Sequence, residues 1–213
     1  MKLRQLILIV LLFASTSLSC SNIGAQTAEG NILFSDDFSD NSKKWDQVND
    51  TARSTDYFNG AYRITVNELS IDVWAIPWKQ SFTDAHLEVD ATKNGGPDDN
   101  IFGVICRYID ADQFYYGVIS SDGFYGIMKM TADDGLLLGR KNMAESSVIN
   151  RRSASNHIRF DCVGSNLTLY VNGTQVDQQT DTEYTAGNVG VLAGSFKETG
   201  TDILFDSFFV YTP

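Results

Sequence analysis

The chain has 213 residues, 43% of them apolar and 20% charged, enough for one folded domain with its own core and too apolar for wholesale disorder. The formal net charge is -11, from 27 acidic against 16 basic residues. An acidic globule repels a phosphate backbone, which argues against nucleic acid as a partner.

The first residues read as a targeting signal. Lys2 and Arg4 give a positive start, and Leu6 to Ala14 (LILIVLLFA) is an uninterrupted apolar run. The run is too short to span a bilayer and suits a signal-peptide core. Ser17-Leu18-Ser19-Cys20 comes next. This segment resembles the lipobox of bacterial lipoproteins, in which the cysteine is lipidated and becomes the mature N-terminus, although leucine usually stands one residue earlier than Leu18 does. The resemblance implies a leader over residues 1–20 and a lipid on Cys20 that holds the protein to a cell membrane, facing outward. A plain secreted protein is the alternative. Loss of Lys2 and Arg4 makes the mature chain two charges more negative still. Residues 21–30 (SNIGAQTAEG) are small and polar without periodicity and read as a flexible tether. The folded domain is expected over residues 31–213.

From there short strands alternate with turn signals, and no stretch carries a helical period. Ala61 to Val66 (AYRITV) alternates. In IDVWAIPWKQ, Trp74 and Trp78 flank Pro77. Ala85 to Thr92 (AHLEVDAT) sets Leu87 and Val89 on one face and His86, Glu88 and Asp90 on the other. A Gly/Pro/Asp/Asn-rich loop, Lys93 to Asn100, leads into Ile101 to Tyr108 (IFGVICRY). Phe114 to Ser120 and Phe124 to Met130 flank Ser121-Asp122-Gly123, a hairpin with Asp-Gly at its tip. Thr131 to Ser155 is irregular and reads as a long loop. His157 to Val163 and Asn166 to Val171 form a second hairpin, Asn172-Gly173 turns the chain into Thr174 to Gln178, and Val189 to Ala193 and Ile203 to Tyr211 complete the set. Many short strands with closely spaced turns predict an all-β sandwich or barrel in a single domain.

With Cys20 assigned to lipid, Cys106 and Cys162 remain as a pair inside apolar strands. They are either a disulfide of an oxidising compartment or two small buried hydrophobes. Glu88 and Asp90 are the candidate catalytic carboxylates. Side chains two residues apart on one strand face stand about 7 Å from each other, compatible with a glycosidase pair. A solvated polar strand face is the competing reading. The two histidines, His86 and His157, lie far apart in sequence, and neither a zinc set nor a catalytic triad assembles around them.

The succession FGVICRYIDADQFYYGVISSDGFYGIMKM, NHIRFDCVGSNLTLYVNGTQV, GNVGVLAG and ILFDSFFVY resembles concanavalin A-like and laminin-G-like jelly-roll domains. The opening FSDDFSDNSKKW and the segment FNGAYRI draw it closer to bacterial 3-keto-disaccharide hydrolase, or family-16-like glycoside hydrolase, domains. The resemblance spans Phe34 to Tyr211. It implies an all-β jelly-roll sandwich of two antiparallel sheets, with carbohydrate the commonest ligand class. Family-16 glycanases carry Glu-x-Asp-x-x-Glu on one strand; here Glu88 and Asp90 are followed by Lys93 in place of the second glutamate, which favours binding over cleavage. The resemblance also implies a structural Ca²⁺, with Asp36 or Asp37, the Asn59-Gly60 turn and Asp206 at the matching places, hard oxygen donors of the kind calcium takes. It sets Tyr115 toward the core and leaves Tyr116 on the outer sheet surface; by strand parity, opposite to Val104 and Cys106, Arg107 is expected beside it, and the Trp74–Trp78 segment is expected to rim the cleft. With 13 Phe, 9 Tyr and 3 Trp, most aromatic residues must be core. Three functions are implied, in order: a carbohydrate-binding surface lipoprotein, a hydrolase of 3-keto-disaccharides or related glycans, and a protein-binding adhesion module.

Overall fold

The computed structural model describes residues 30–213. The leader, Cys20 and nearly all of the expected tether lie outside the described residues. In chain order the strands are β1 (Ile32–Asp36), β2 (Val48–Asn49), β3 (Arg53–Phe58), β4 (Ala61–Val66), β5 (Asp72–Ala75), β6 (Ala85–Gly95), β7 (Asn100–Asp110), β8 (Gln113–Ile119), β9 (Phe124–Met130), β10 (Gly135–Leu137), β11 (Ala144–Glu145), β12 (Asn156–Val163), β13 (Asn166–Val171), β14 (Thr174–Thr180), β15 (Asn188–Ser195) and β16 (Thr201–Tyr211). They form two antiparallel sheets packed as a sandwich. The nine-stranded sheet runs β14-β13-β12-β6-β16-β4-β3-β2, with β1 also paired to β16. The seven-stranded sheet runs β10-β9-β8-β7-β15-β5, with β11 paired to β9. The Thr131–Ser155 loop therefore contains two short strands, β10 and β11, that extend the edge of the seven-stranded sheet.

The period-two pattern explains which face is buried. On β4 Tyr62, Ile64 and Val66, on β6 Leu87, Val89 and Ala91, and on β12 Ile158, Phe160 and Cys162 point into one shared core. Val104 and Cys106 of β7, Tyr115 of β8 and Val191 of β15 meet them from the other sheet. Cys106 and Cys162 form a disulfide that joins β7 to β12 and so ties one sheet to the other. A separation of 56 residues between them closes a long loop, worth about 4 kcal/mol by loop-closure entropy.

Two bulges break the alternation. On β16 the register shifts between Asp206 and Phe209, with Ser207 at φ 54°. Phe205 points inward and Asp206 outward by alternation, and the bulge resets the parity so that Phe208 and Val210 reach the core as well. On β7 the register shifts between Cys106 and Asp110, with Arg107 at φ 53°. The bulge swings Arg107 inward at one end of the sandwich, where it is 2% exposed. Its guanidinium donates to the carbonyls of Thr83 (3.0 Å), Tyr184 (3.0 Å) and Gly164 (2.7 Å) and to Asp84 Oδ1 (3.2 Å). Strict alternation sets Arg107 beside Tyr116 as a ligand contact; the structure corrects this, because the guanidinium is buried at the end of the sandwich with four of its five N–H donors committed to protein acceptors.

The carboxylates Glu88 and Asp90 stand on the outer face of the nine-stranded sheet, opposite Arg159 and His157 of β12. His157 Nδ1 lies 2.8 Å from Asp90 Oδ1, and its Nε2 lies 3.6 Å from Glu88 Oε2. His86 Nδ1 lies 2.7 Å from Asp161 Oδ1, which also accepts from Arg159 Nε at 2.7 Å. Glu88 is only 1% exposed. This face is therefore a packed ionic network, neither a solvated polar face nor an open acid pair. The hydrogen bond to Asp90, and then the Glu88 carboxylate near Nε2, raise the His157 pKa from 6.5 to about 9. A protonated ring is the form these carboxylates favour. Its contribution to stability is complete below about pH 6.5 and is lost as the pH rises through about 9. Chemical denaturation should show the protein weakening across that window, by on the order of 2 kcal/mol, and His157→Ala should flatten the slope. An unchanged slope in the variant would count against this assignment.

Candidate functional site

The outer face of the seven-stranded sheet carries a groove of about 1110 Å³. Inward residues of β5 are Val73 and Ala75, so the intervening positions, Asp72 and Trp74, must face outward into this groove. Tyr116 and Val118 of β8 and Met128 and Met130 of β9 supply the floor by the same alternation. Gly135, Leu137 and Met143, from the segment around β10 and β11, form one wall. Asp99, Asp122, Asp134, Lys141 and Lys197 provide the charges on its borders. Aromatic rings run in a connected row beneath it. Phe114 lies 5.4 Å from Trp74, from Tyr108 and from Tyr116, centroid to centroid.

Of the expected ligand-facing residues, the structure brings Trp74 and Tyr116 into one groove. Tyr115 points the opposite way, into the core. Arg107 is held at the end of the sandwich by its carbonyl acceptors. Trp78 is 58% exposed, lies outside the groove, and carries Lys79 Nζ 4.9 Å above its ring. Pro77 lies between the end of β5 and Trp78, so the two tryptophans do not share a strand face. Glu88 and Asp90 lie on the other sheet, with the full thickness of the sandwich between them and the groove.

Two polar groups in the groove have no protein partner among the described residues. The Tyr116 hydroxyl is buried and has no hydrogen bond among the described residues. Burial, then the charges of Asp72 and Asp134, push its pKa up, so the hydroxyl stays protonated. The Asp72 carboxyl is raised from 3.8 to about 6 by burial and then by the charge of Asp134. Glycines make room for both groups. A Cβ at Gly194, paired with Asp72 across β15 and β5, would stand 2.1 Å from Asp72 Oδ1. A Cβ at Gly135 would stand 2.2 Å from the Tyr116 hydroxyl oxygen. Asp72, Asp134 and these two glycines were not legible as site residues. The outward parity of Asp72 beside Trp74 was the available signal, hidden because β5 is four residues long and runs into a proline-containing turn.

The residues expected to hold calcium lie around a junction of strands. Asp36 pairs with Phe208, and Tyr62 with Phe205. β1 and β4 thus approach each other end to end along β16, with Asp37, the Asn59-Gly60 turn and Asp206 around the gap. Asp36 is committed elsewhere. Its carboxylate accepts from the Phe38 backbone N–H and Trp45 Nε1, both at 2.9 Å. Asp37 and Asp206 are exposed, each with a serine hydroxyl as a local donor. Two exposed carboxylates and a glycine carbonyl are oxygen donors of the kind Ca²⁺ takes, three of the six to eight it needs. Among the described residues no group of three or more His, Cys, Asp and Glu side chains is placed to hold a metal.

No family model matches the chain, and no curated protein matches it. Solved structures do. The carbohydrate-binding module CBM66 from Bacillus subtilis superposes with a TM-score of 0.63 at 14% identity, over 79% of this chain and 95% of that one. A galectin-like-fold protein from Bacillus subtilis gives 0.64 at 10% identity, over 87% of this chain and 97% of that one. The β-glucanase of Bacillus licheniformis gives 0.60 at 13% identity, over 88% of this chain and 100% of that one. The domain has the fold these proteins share, a concanavalin A-like jelly-roll sandwich.

Proposed function

We propose that this chain is an exported surface lipoprotein, anchored through Cys20, whose jelly-roll domain binds carbohydrate in the groove on the seven-stranded sheet without cleaving it. One observation carries the reading: the groove combines an aromatic and methionine floor with a hydroxyl and a carboxyl that no described protein group satisfies. Sugars bind through flat apolar faces stacked on rings and through hydroxyls that need fixed polar partners. The likeness of fold to a carbohydrate-binding module and to a β-glucanase supports the same ligand class. Binding without cleavage rests on the placement of Glu88 and Asp90, whose carboxylates are engaged with His157 on the far face. Calcium, when bound between Asp37, the Gly60 carbonyl and Asp206, would supply a positive charge that neutralises two carboxylates at the junction of β1, β4 and β16.

Glycan-array binding followed by titration tests the site. Trp74→Ala is expected to weaken binding about tenfold or more, the loss of one stacking platform with its buried area, whereas Trp78→Ala should leave affinity unchanged. Failure to bind any glycan, release of reducing ends from a bound one, or equal binding by Trp74→Ala would sink the proposal.

Tyr116→Phe separates function from stability. It removes a buried hydroxyl without a partner, so the variant should unfold at higher denaturant, a gain of about 1 kcal/mol, while binding its glycan more weakly. A variant that is less stable and binds normally would assign the hydroxyl to the fold instead.

For calcium, a chelator should lower the melting temperature of the native chain and leave Asp206→Ala unaffected. No shift in the native chain would remove the ion from the account.

A further inference from the structure

The polar corner of the groove has a charge pattern that narrows the ligand. Asp72 is presented on β5 beside Trp74, over the bare backbone of Gly194. No described residue donates a hydrogen bond to its carboxylate or pairs with it as a cation. Asp134, from the turn between β9 and β10, is exposed at the border of the groove next to Gly135, and its charge acts to raise the pKa of both Asp72 and Tyr116. Only its Oδ1 is engaged, by the backbone N–H of Gly135 at 2.7 Å. The Tyr116 hydroxyl completes the corner, fully buried and unpartnered.

We propose that Asp72, Asp134 and Tyr116 form a subsite for a protonated amine, so that the preferred saccharide is an amino sugar with a free amino group. The inference rests on the carbohydrate reading of the groove. A largely buried carboxylate beside a second one needs a positive charge or a proton between them. An ammonium group has three donors and no acceptor, which suits a corner bordered by carboxylate and phenolic oxygens, with no protein cation paired with them among the described residues. The hydroxyls of a neutral sugar supply donors but leave the carboxylate charge uncompensated. A uronic or sialic acid adds a further negative charge to the corner. Lys141 and Lys197 border the groove, but neither makes an ion pair with Asp72 or Asp134 among the described residues, and the corner keeps its charge.

The test is calorimetric titration of the full chain, near neutral pH and at constant ionic strength, with β-1,4-linked oligosaccharides of glucosamine, N-acetylglucosamine and glucose of equal length. The free-amine series is expected to bind about tenfold tighter or more, the worth of a charge-assisted hydrogen-bonded pair. Asp72→Asn, which keeps the shape of the side chain, should bring the three series to one affinity. Gly194→Ala, which fills the space before Asp72, should do the same by a different route. Thermal melts identify a variant that has failed to fold, and the second variant then decides. Equal binding of the three series by the native chain overturns the subsite and leaves the carbohydrate reading intact. So does an amine preference that survives both substitutions. Absence of binding to all three, with other glycans bound on the array, overturns the subsite as well; absence of binding to every glycan removes the carbohydrate reading with it.

Discussion

The seam between the two sheets admits side chains of one parity only, and the rest of the molecule is shaped by what that seam excludes. Each strand offers its alternate residues to a shared core in which Tyr62, Leu87, Val104, Tyr115, Phe160 and Val191 are fully buried. The Cys106–Cys162 disulfide crosses the seam from β7 to β12 and keeps the layers from sliding in register. A one-residue slip would turn every core side chain outward, so a covalent link between the sheets at one fixed pair of positions reinforces what the hydrophobic pattern already specifies. Arg107 closes one end of the seam with a charge whose donors meet three backbone carbonyls and Asp84. An unpaired guanidinium there would be costly, and the bulge that points it inward is tolerable because those acceptors converge on it.

The excluded parity on the seven-stranded sheet becomes the groove. Val73 and Ala75 must face the core, so Asp72 and Trp74 cannot. Tyr115 must face the core, so Tyr116 cannot. The residues left outward are too apolar to be an ordinary wet surface, and they form their own small cluster of Ile101, Ile105, Phe114, Tyr116, Val118 and Leu192 with Trp74 and the methionines against it. A sheet with both faces apolar has to cover the second one. Here the segment after β9 does so only in part, through Gly135, Leu137 and Met143, and the uncovered remainder is the cleft.

Most of this architecture was readable as alternation. The bounds of β4, β9 and β13 coincide with the segments expected from the sequence, and the opposite orientations of Tyr115 and Tyr116 agree with the expected parity. Where reading failed, the cause was local. The strands β2, β5, β10 and β11 span two to four residues, too few for a period of two to declare itself. The bulges at Arg107 and Ser207 place non-glycine residues at positive φ, which no residue type announces, and each reverses the parity of the strand beyond it. Arg107 thereby passed from the expected ligand face to the interior, whereas Asp206, next to the inward Phe205, faces solvent by plain alternation. The marks that identified the fold also proved structural. Asp36 of the opening DDF holds the Phe38 backbone and the Trp45 indole, and Asn172-Gly173 supplies the two positive-φ residues of a tight hairpin turn. Residues that specify the sandwich are thus distinct from those that line its groove.

The groove itself runs against the economy of the rest of the fold. Elsewhere buried charges are paired: Lys129 with Asp181 and Glu183, Arg140 with Asp177, His157 with Asp90 and Glu88. At the Asp72 corner a carboxyl sits beside a second carboxylate and an unsatisfied phenol, with glycine on two sides where any larger residue would collide. Filling the space at Gly194, or replacing Tyr116 by phenylalanine, would relieve the molecule in isolation. Buried polar atoms without a hydrogen bond occur elsewhere too, on His86, His157, Asp177 and Thr201, but among the described residues only the Tyr116 hydroxyl belongs to a residue lining the groove, where a complementary ligand can recover the free energy of satisfying it. Trp74 and the methionines supply area for a ligand of many shapes, so discrimination among ligands falls to this corner, where a mismatched group leaves a carboxylate uncompensated.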